Sequence, residues 1–178
     1  MENLKLYVID IDYIEYLRKY DAQVMTSRSD NYITERKYLG VVLNLGEFKY
    51  FAPLSSPKES DYLYSNGKKI VRKSIIPLIR LVNKKGELLG RVKLNNMIPV
   101  PAECLKIYNV DGEQNRKYKD LVIDEIICIR KNKAKIMKNA KVLYNQKVNG
   151  YKEIKYLNST VDFKNIEKYC ILYNKDEK

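Results

Sequence analysis

Apolar and polar residues alternate from Leu4 to Ile9, a two-residue period that predicts a first strand. Asp12-Tyr13-Ile14-Glu15 then reads as a helix start, an aspartate cap with a glutamate three residues on. That helix should run to about Tyr20 and bury Ile14, Leu17 and Tyr13 on one face. Residues 21–35 are polar and predict a loop. Tyr38–Leu43 and Phe48–Ala52 are rich in Val, Leu, Tyr and Phe with Gly46 between them, a hairpin signal. Pro53 and Pro57 stop the second strand and stiffen Pro53-Leu54-Ser55-Ser56-Pro57-Lys58. Glu59–Gly67 reads as an exposed loop with a turn at Ser65-Asn66-Gly67. A second hairpin is predicted over Ile75–Val82 and Leu88–Leu94, turning at Asn83-Lys84-Lys85-Gly86, and Met97–Pro101 reads as an apolar crossing segment. A short strand is predicted from Leu105 to Val110.

From Arg116 the period changes to helical. Val122, Ile126, Ile129, Met137, Ala140 and Leu143 fit one face, with a break at Lys133, and Asn149-Gly150 closes the region. Asp162–Tyr173 predicts a last helix with Ile166, Cys170 and Tyr173 on one side. Antiparallel strands first and helices afterwards give an α+β fold. At 178 residues the chain reads as a single domain, 1–178. No apolar run reaches the roughly 20 residues of a membrane span, and MENLKLYVIDID is unlike a signal peptide.

Charge narrows the function. The net charge is +12, from 34 Lys+Arg against 22 Asp+Glu, which favours a polyanionic partner, nucleic acid first and an anionic membrane surface second. The positive charge is clustered. Lys68–Lys93 holds nine basic residues and one acidic, and Arg130–Lys152 holds eight basic and none acidic. Lys131, Lys135 and Lys138 share one helix face, which could follow a phosphate backbone or simply be solvated. Sixteen tyrosines without a tryptophan suit base stacking and phosphate contact, although most such rings pack at core edges. The three cysteines, Cys104, Cys128 and Cys170, lack metal-ligand spacing and read as buried reduced thiols of a cytoplasmic protein.

The chain contains no histidine, so acid–base chemistry must use other groups. RNA carries its own nucleophile, the 2′-hydroxyl; a ribonuclease must align it and stabilise charge on the phosphate oxygens. Ser55 and Ser56, pinned between two prolines, suit hydrogen bonding to the phosphate or the 2′-hydroxyl. Lys58 and Arg36 suit charge stabilisation, and Tyr32 and Lys37 lie just ahead of the first hairpin strand. The same Ser-Ser-Pro-Lys segment is also a good turn. Tyr13 could pack on the core edge or line an RNA groove. A non-catalytic protein binding structured RNA is the alternative reading of this surface, and a charge-bound membrane-surface module is a third. No recognition-helix or zinc motif supports DNA binding.

Tyr-Leu-Gly-Val-Val-Leu (38–43), Lys-Tyr-Phe-Ala-Pro-Leu-Ser-Ser-Pro-Lys (49–58), Leu-Asn-Asn-Met-Ile-Pro-Val-Pro (94–101) and the helix carrying Tyr118 and Ile129-Arg130 resemble the ToxN/AbiQ family. The likeness runs from the first helix to about Asn139. It implies an α+β fold built on a strongly bent antiparallel sheet of the Kid/MazF kind, a barrel-like core with flanking helices. It further implies a type III toxin of phage-abortive systems: a metal-independent endoribonuclease, without cofactor, that cuts adenine-rich RNA to 2′,3′-cyclic phosphate and 5′-hydroxyl ends. The implied partners are cellular or phage mRNA and a small repeat RNA antitoxin. The toxin cuts that RNA from a precursor, is inhibited by it as a pseudoknot, and joins it in a closed hetero-oligomer. By motif, the family's site falls on Ser55, Ser56, Lys58, Tyr32 and Arg36 or Lys37, with Tyr13 and Tyr118 near the RNA path and Arg130 on the matching helix.

Overall fold

The computed structural model describes residues 4–28 and 35–173. Nine strands occur there: β1 (Lys5–Ile9), β2 (Lys37–Leu45), β3 (Phe48–Ser55), β4 (Tyr62–Ser65), β5 (Lys68–Val71), β6 (Leu78–Val82), β7 (Leu88–Lys93), β8 (Ile98–Pro99) and β9 (Leu105–Ile107). Three α-helices accompany them: α1 (Ile11–Arg18), α2 (Arg116–Asn149) and α3 (Phe163–Leu172). Strands in the first two-thirds of the chain and the long helices in the last third give the expected mixed α and β architecture.

Seven strands form one antiparallel sheet in the order β6-β7-β3-β2-β1-β9, with β8 added to β3. Among the described residues this is an open path, not a closed barrel. Strand β3 is its pivot. One edge pairs with β2 (Tyr38↔Pro53, Leu39↔Ala52). The other pairs with β8 at Tyr50 and Phe51, then with β7 at Leu54 and Ser55. Both predicted hairpins are present. β2 and β3 turn at Gly46-Glu47, where Gly46 has φ +58°, and β6 and β7 turn before Gly86, with φ +82°. Positive φ is open to glycine without a Cβ clash.

Four expectations are corrected. Helix α1 starts two residues earlier, capped by Asp10, whose carboxylate accepts the Asp12 N–H at 3.0 Å; β1 ends at Ile9, so Asp10 is the residue at the strand-to-helix junction. The expected loop 59–67 contains a 3-10 turn and strand β4. That strand pairs with β5 across Asn66-Gly67, both at positive φ, as a two-residue hairpin turn requires. The predicted strand to Val110 stops at Ile107. Helix α2 is continuous through Lys133. Lysine is a good helix former and its stem can lie along apolar surface, and the apolar stripe continues from Ile129 to Ile136, leaving Met137 exposed.

Helix α2 packs across β2, β6 and β7, and α3 packs against β8, α1 and α2. Many of the tyrosines serve packing. Tyr50, Tyr144 and Phe163 form one aromatic cluster, and the Tyr50 and Tyr144 hydroxyls both donate to Glu167 Oε1 at 2.7 Å. Cys104 and Cys128 are buried and Cys170 half-buried, all as free thiols. No helix among the described residues is long and apolar enough to cross a membrane.

Candidate active site

The end of β3 lies between the start of β2 and the middle of β7. That placement brings Arg36 and Lys37, Ser55 and Ser56, and Gly90 to one place. The first turns of α2 close over them with Tyr118, Leu121 and Glu125, whose spacings of three and four put them on one helix face. Asn115 caps this helix end, its side chain accepting the Tyr118 N–H at 3.1 Å. The resulting cleft, about 60 Å³, is lined by Glu35, Arg36, Lys37, Ser55, Ser56, Tyr118 and Glu125 together with Leu54, Leu89 and Leu121. Glu35, Lys37 and Tyr118 also line an adjoining cleft of about 410 Å³, whose other walls include Tyr108, Asn109, Glu113 and Gln114.

Each polar residue is held differently. Ser55 is 8% exposed and its Oγ has no hydrogen-bond partner among the described residues. Leaving a buried hydroxyl unsatisfied costs about 1–3 kcal/mol, a cost that a bound oxyanion or hydroxyl would remove. Ser56 is exposed at the cleft mouth. Arg36 is buried and donates from Nε to Thr26 O (3.0 Å), from Nη1 to Leu54 O (3.0 Å) and from Nη2 to Arg28 O (2.7 Å). It therefore fixes the strand end carrying Ser55 while lending its charge to the cleft. Lys37 is 7% exposed, with its ammonium 4.1 Å from the Tyr118 ring centroid and 5.2 Å from that of Tyr108. Burial lowers the Lys37 pKa, against the raising effect of Glu125 and Glu113. Arg36 and Lys37 thus both face the cleft, the first as a brace and the second as a cation held over two rings.

The segment after Ser56 is anchored by Asp61, which is 1% exposed. Asp61 Oδ1 accepts from Arg80 Nε at 2.9 Å, and Oδ2 accepts the Lys58 backbone N–H at 2.8 Å and lies 3.3 Å from Arg91 Nη1. Lys58 itself is exposed and does not line the cleft.

The other predicted residues lie elsewhere. Tyr13 is fully buried in the core, its hydroxyl donating to Pro99 O at 2.7 Å. Arg130 is exposed beside a separate groove formed with Leu4, Leu6 and Ile107. Lys131 lines another with Lys84 and Lys85, and Lys135 and Lys138 are exposed farther along α2. Tyr32 lies outside the described residues.

Sequence reasoning missed Glu125. It is 7% exposed, and burial pushes its carboxyl up to about 7, with Lys37 acting in the opposite direction. Its signal was present: an acidic residue three after Val122 and four before Ile129, on the buried stripe of α2.

Comparison with known proteins places the whole of this architecture. The sequence model described as "Toxin ToxN, type III toxin-antitoxin system" matches residues 5–171, from β1 through α3. This chain belongs to the ToxN toxin family. The ToxN-family match includes every element that builds the cleft. Endoribonuclease AbiQ of Lactococcus lactis subsp. lactis is 31% identical over 172 residues, 97% of this chain and 90% of AbiQ. Endoribonuclease ToxN of Pectobacterium atrosepticum is 30% identical over 150 residues, 83% of each chain. A solved structure reported as "A processed non-coding RNA regulates a bacterial antiviral system" shares the fold at a TM-score of 0.81 and 28% identity, covering 96% of this chain and 99% of its own.

Proposed function

We propose that this chain is the endoribonuclease toxin of a type III toxin–antitoxin system. In this reading it acts in the cytoplasm and aborts phage infection by cutting adenine-rich RNA without a metal ion. The 2′-hydroxyl attacks the adjacent phosphate, leaving a 2′,3′-cyclic phosphate and a 5′-hydroxyl. The same site cuts a precursor into the repeat RNA, which folds as a pseudoknot and inhibits the toxin in a closed protein–RNA assembly. The sheet is then a bent Kid/MazF-type platform that carries the site at the end of β3.

The observation that carries this reading is the unpartnered, buried Ser55 hydroxyl in a cleft walled by Lys37 and Arg36. A small cleft with two hydroxyls and two cations suits a phosphodiester, and the adjoining larger cleft, with Tyr108 and Tyr118 on its walls, suits a flanking base. The similar proteins named above are themselves endoribonucleases, which supports the same activity here. Ser55 binds a non-bridging oxygen, and Ser56 orients the 2′-hydroxyl at the cleft mouth. Arg36 and Lys37 stabilise the charge that builds on the phosphate. Lys58, two residues beyond Ser56, gives a proton to the departing 5′ oxygen, and Tyr32 positions the scissile phosphate. Tyr118 lines the RNA path, and Arg130, Lys131, Lys135 and Lys138 give the exposed charge of α2 for the antitoxin backbone.

Ser56→Ala tests the assignment. Cleavage of adenine-rich RNA should be abolished while binding of the repeat RNA stays near wild type. Wild-type cleavage by the variant removes Ser56 from the mechanism; RNA binding without cleavage by either protein favours a non-catalytic RNA-binding protein.

A further inference from the structure

The reading above leaves one proton without a destination. Attack by the 2′-hydroxyl releases a proton, and the chain has no histidine to take it. Serine hydroxyls and guanidinium groups do not accept protons near neutrality. Within the cleft the remaining ionisable groups are Lys37, Glu35, Tyr118 and Glu125. Lys37 is needed as a cation, and Glu35 is exposed at the rim.

Glu125 has the required placement. It lines the cleft from α2, almost wholly buried, together with Lys37 and Ser55. Its Oε1 abuts the backbone of β7 at Gly90, so closely that a side chain at position 90 would collide with it. A Cβ at position 90 would also lie 3.4 Å from the Ser55 carbonyl oxygen. The absence of a Cβ at position 90 is therefore what leaves room for the carboxyl beside Ser55.

We propose that Glu125 is a catalytic residue of this site, the general base whose carboxylate accepts the 2′-hydroxyl proton; this rests on the ribonuclease reading above. In the step, the O2′–P bond forms as the P–O5′ bond breaks. The 2′ proton passes to Glu125 Oε, and the 5′ oxygen takes a proton from the Lys58 ammonium. Exchange with water restores both groups. Burial, which pushes the Glu125 carboxyl up to about 7, makes it a far better proton acceptor than an ordinary carboxylate while leaving much of it ionised at neutral pH. The charged and titratable groups around it are Tyr118 and Cys128 on its own helix, Lys37 and Arg36 from the β2 side, Glu35, Tyr108, and Glu113, which acts through Lys37. Arg91 of β7 is engaged with Asp61, and Asp124 lines a different groove.

The test is single-turnover cleavage of a defined adenine-rich RNA by the full chain, from about pH 5.5 to about 8.5. Wild type, Glu125→Gln and Gly90→Ala are compared, with thermal melting and binding of a non-cleavable 2′-O-methyl copy measured alongside. Gly90→Ala displaces the carboxyl without removing it, and the displaced atoms are the far end of a flexible side chain, so the fold should persist. The wild-type rate should rise with pH and level off through a break near 7. Glu125→Gln should be slowed about 100-fold or more and lose that break, and Gly90→Ala should be slowed while melting and binding like wild type. A wild-type profile without a break between about pH 6 and 8 overturns the proposal. So does a wild-type rate in either folded variant. A wild-type protein that binds RNA but never cleaves it overturns the underlying ribonuclease reading, and the base with it.

Discussion

Replacing Asp61 with alanine should damage both the fold and the cleft. Its carboxylate is 1% exposed and meets the Arg80 guanidinium at 2.9 Å and Arg91 at 3.3 Å, side chains themselves only 8% and 7% exposed. Two buried cations thereby lose their carboxylate. Removing one partner of a buried ion pair costs about 3–5 kcal/mol, because the remaining charge stays desolvated. For a domain of this size each kcal/mol moves the melting temperature by about 2–4 °C, so a drop of roughly 6–20 °C is expected. The same substitution frees the Lys58 N–H that Asp61 Oδ2 accepts at 2.8 Å, which loosens the segment carrying Ser55 and Ser56. Cleavage should therefore fall even where the protein is still folded. Far-UV circular dichroism in urea measures the first effect, since the chain has no tryptophan to report by fluorescence. Cleavage well below the melting temperature measures the second. A loss of less than about 1 kcal/mol, the range of an exposed pair, would refute the burial argument.

Two further predictions concern pH. Glu125 titrates near 7 when folded against about 4.3 when unfolded, so its contribution to stability is complete below about pH 4 and is lost as pH rises through 7. Relative to Glu125→Gln, wild type should lose up to about 4 kcal/mol over that interval, about 2.7 pH units at about 1.4 kcal/mol each; a difference in urea stability that is constant with pH would show that the carboxyl is not buried as described. Glu167 behaves oppositely. Burial raises its pKa, but hydrogen bonds from Lys164, Tyr144 and Tyr50 outweigh that and hold it below the usual glutamate range. Its contribution is present above the ordinary glutamate pKa and lost as pH falls through the depressed value. Glu167→Gln should thus be less stable than wild type at neutral pH and converge with it in acid, and equal stability at pH 7 would contradict the network.

Both large hairpins were legible in the sequence because their strands are β-branched and aromatic and their turns carry glycine. The proline-bracketed Ser55–Ser56 segment was legible for the same local reasons. Long-range geometry was not. Arg36 was expected to stabilise phosphate charge; its second use, with Nε, Nη1 and Nη2 donating to the backbone carbonyls of Thr26, Leu54 and Arg28, was hidden, because only the folded approach of β2 to β3 creates those contacts. Lys37, the neighbour left undecided, proves to be the cation held over Tyr118. Asp61 fell in a stretch that reads as an exposed loop, and its burial depends on two arginines from β6 and β7. Tyr13 was weighed as core or groove, and the Pro99 carbonyl that receives its hydroxyl places it in the core. Glu125 stands in the sequence as an acidic residue on the buried stripe of α2, but nothing local to α2 shows that Gly90 lies opposite it. The tight β4–β5 hairpin was hidden by its charged, exposed residues, with only Asn66-Gly67 marking the turn.

The most direct test of the central claim is to map the ends left on adenine-rich RNA by the purified protein in EDTA, with Ser56→Ala alongside. The wild type alone should leave 2′,3′-cyclic phosphate and 5′-hydroxyl ends. Cleavage that disappears on chelation, or products ending in 3′-hydroxyl and 5′-phosphate, would contradict it.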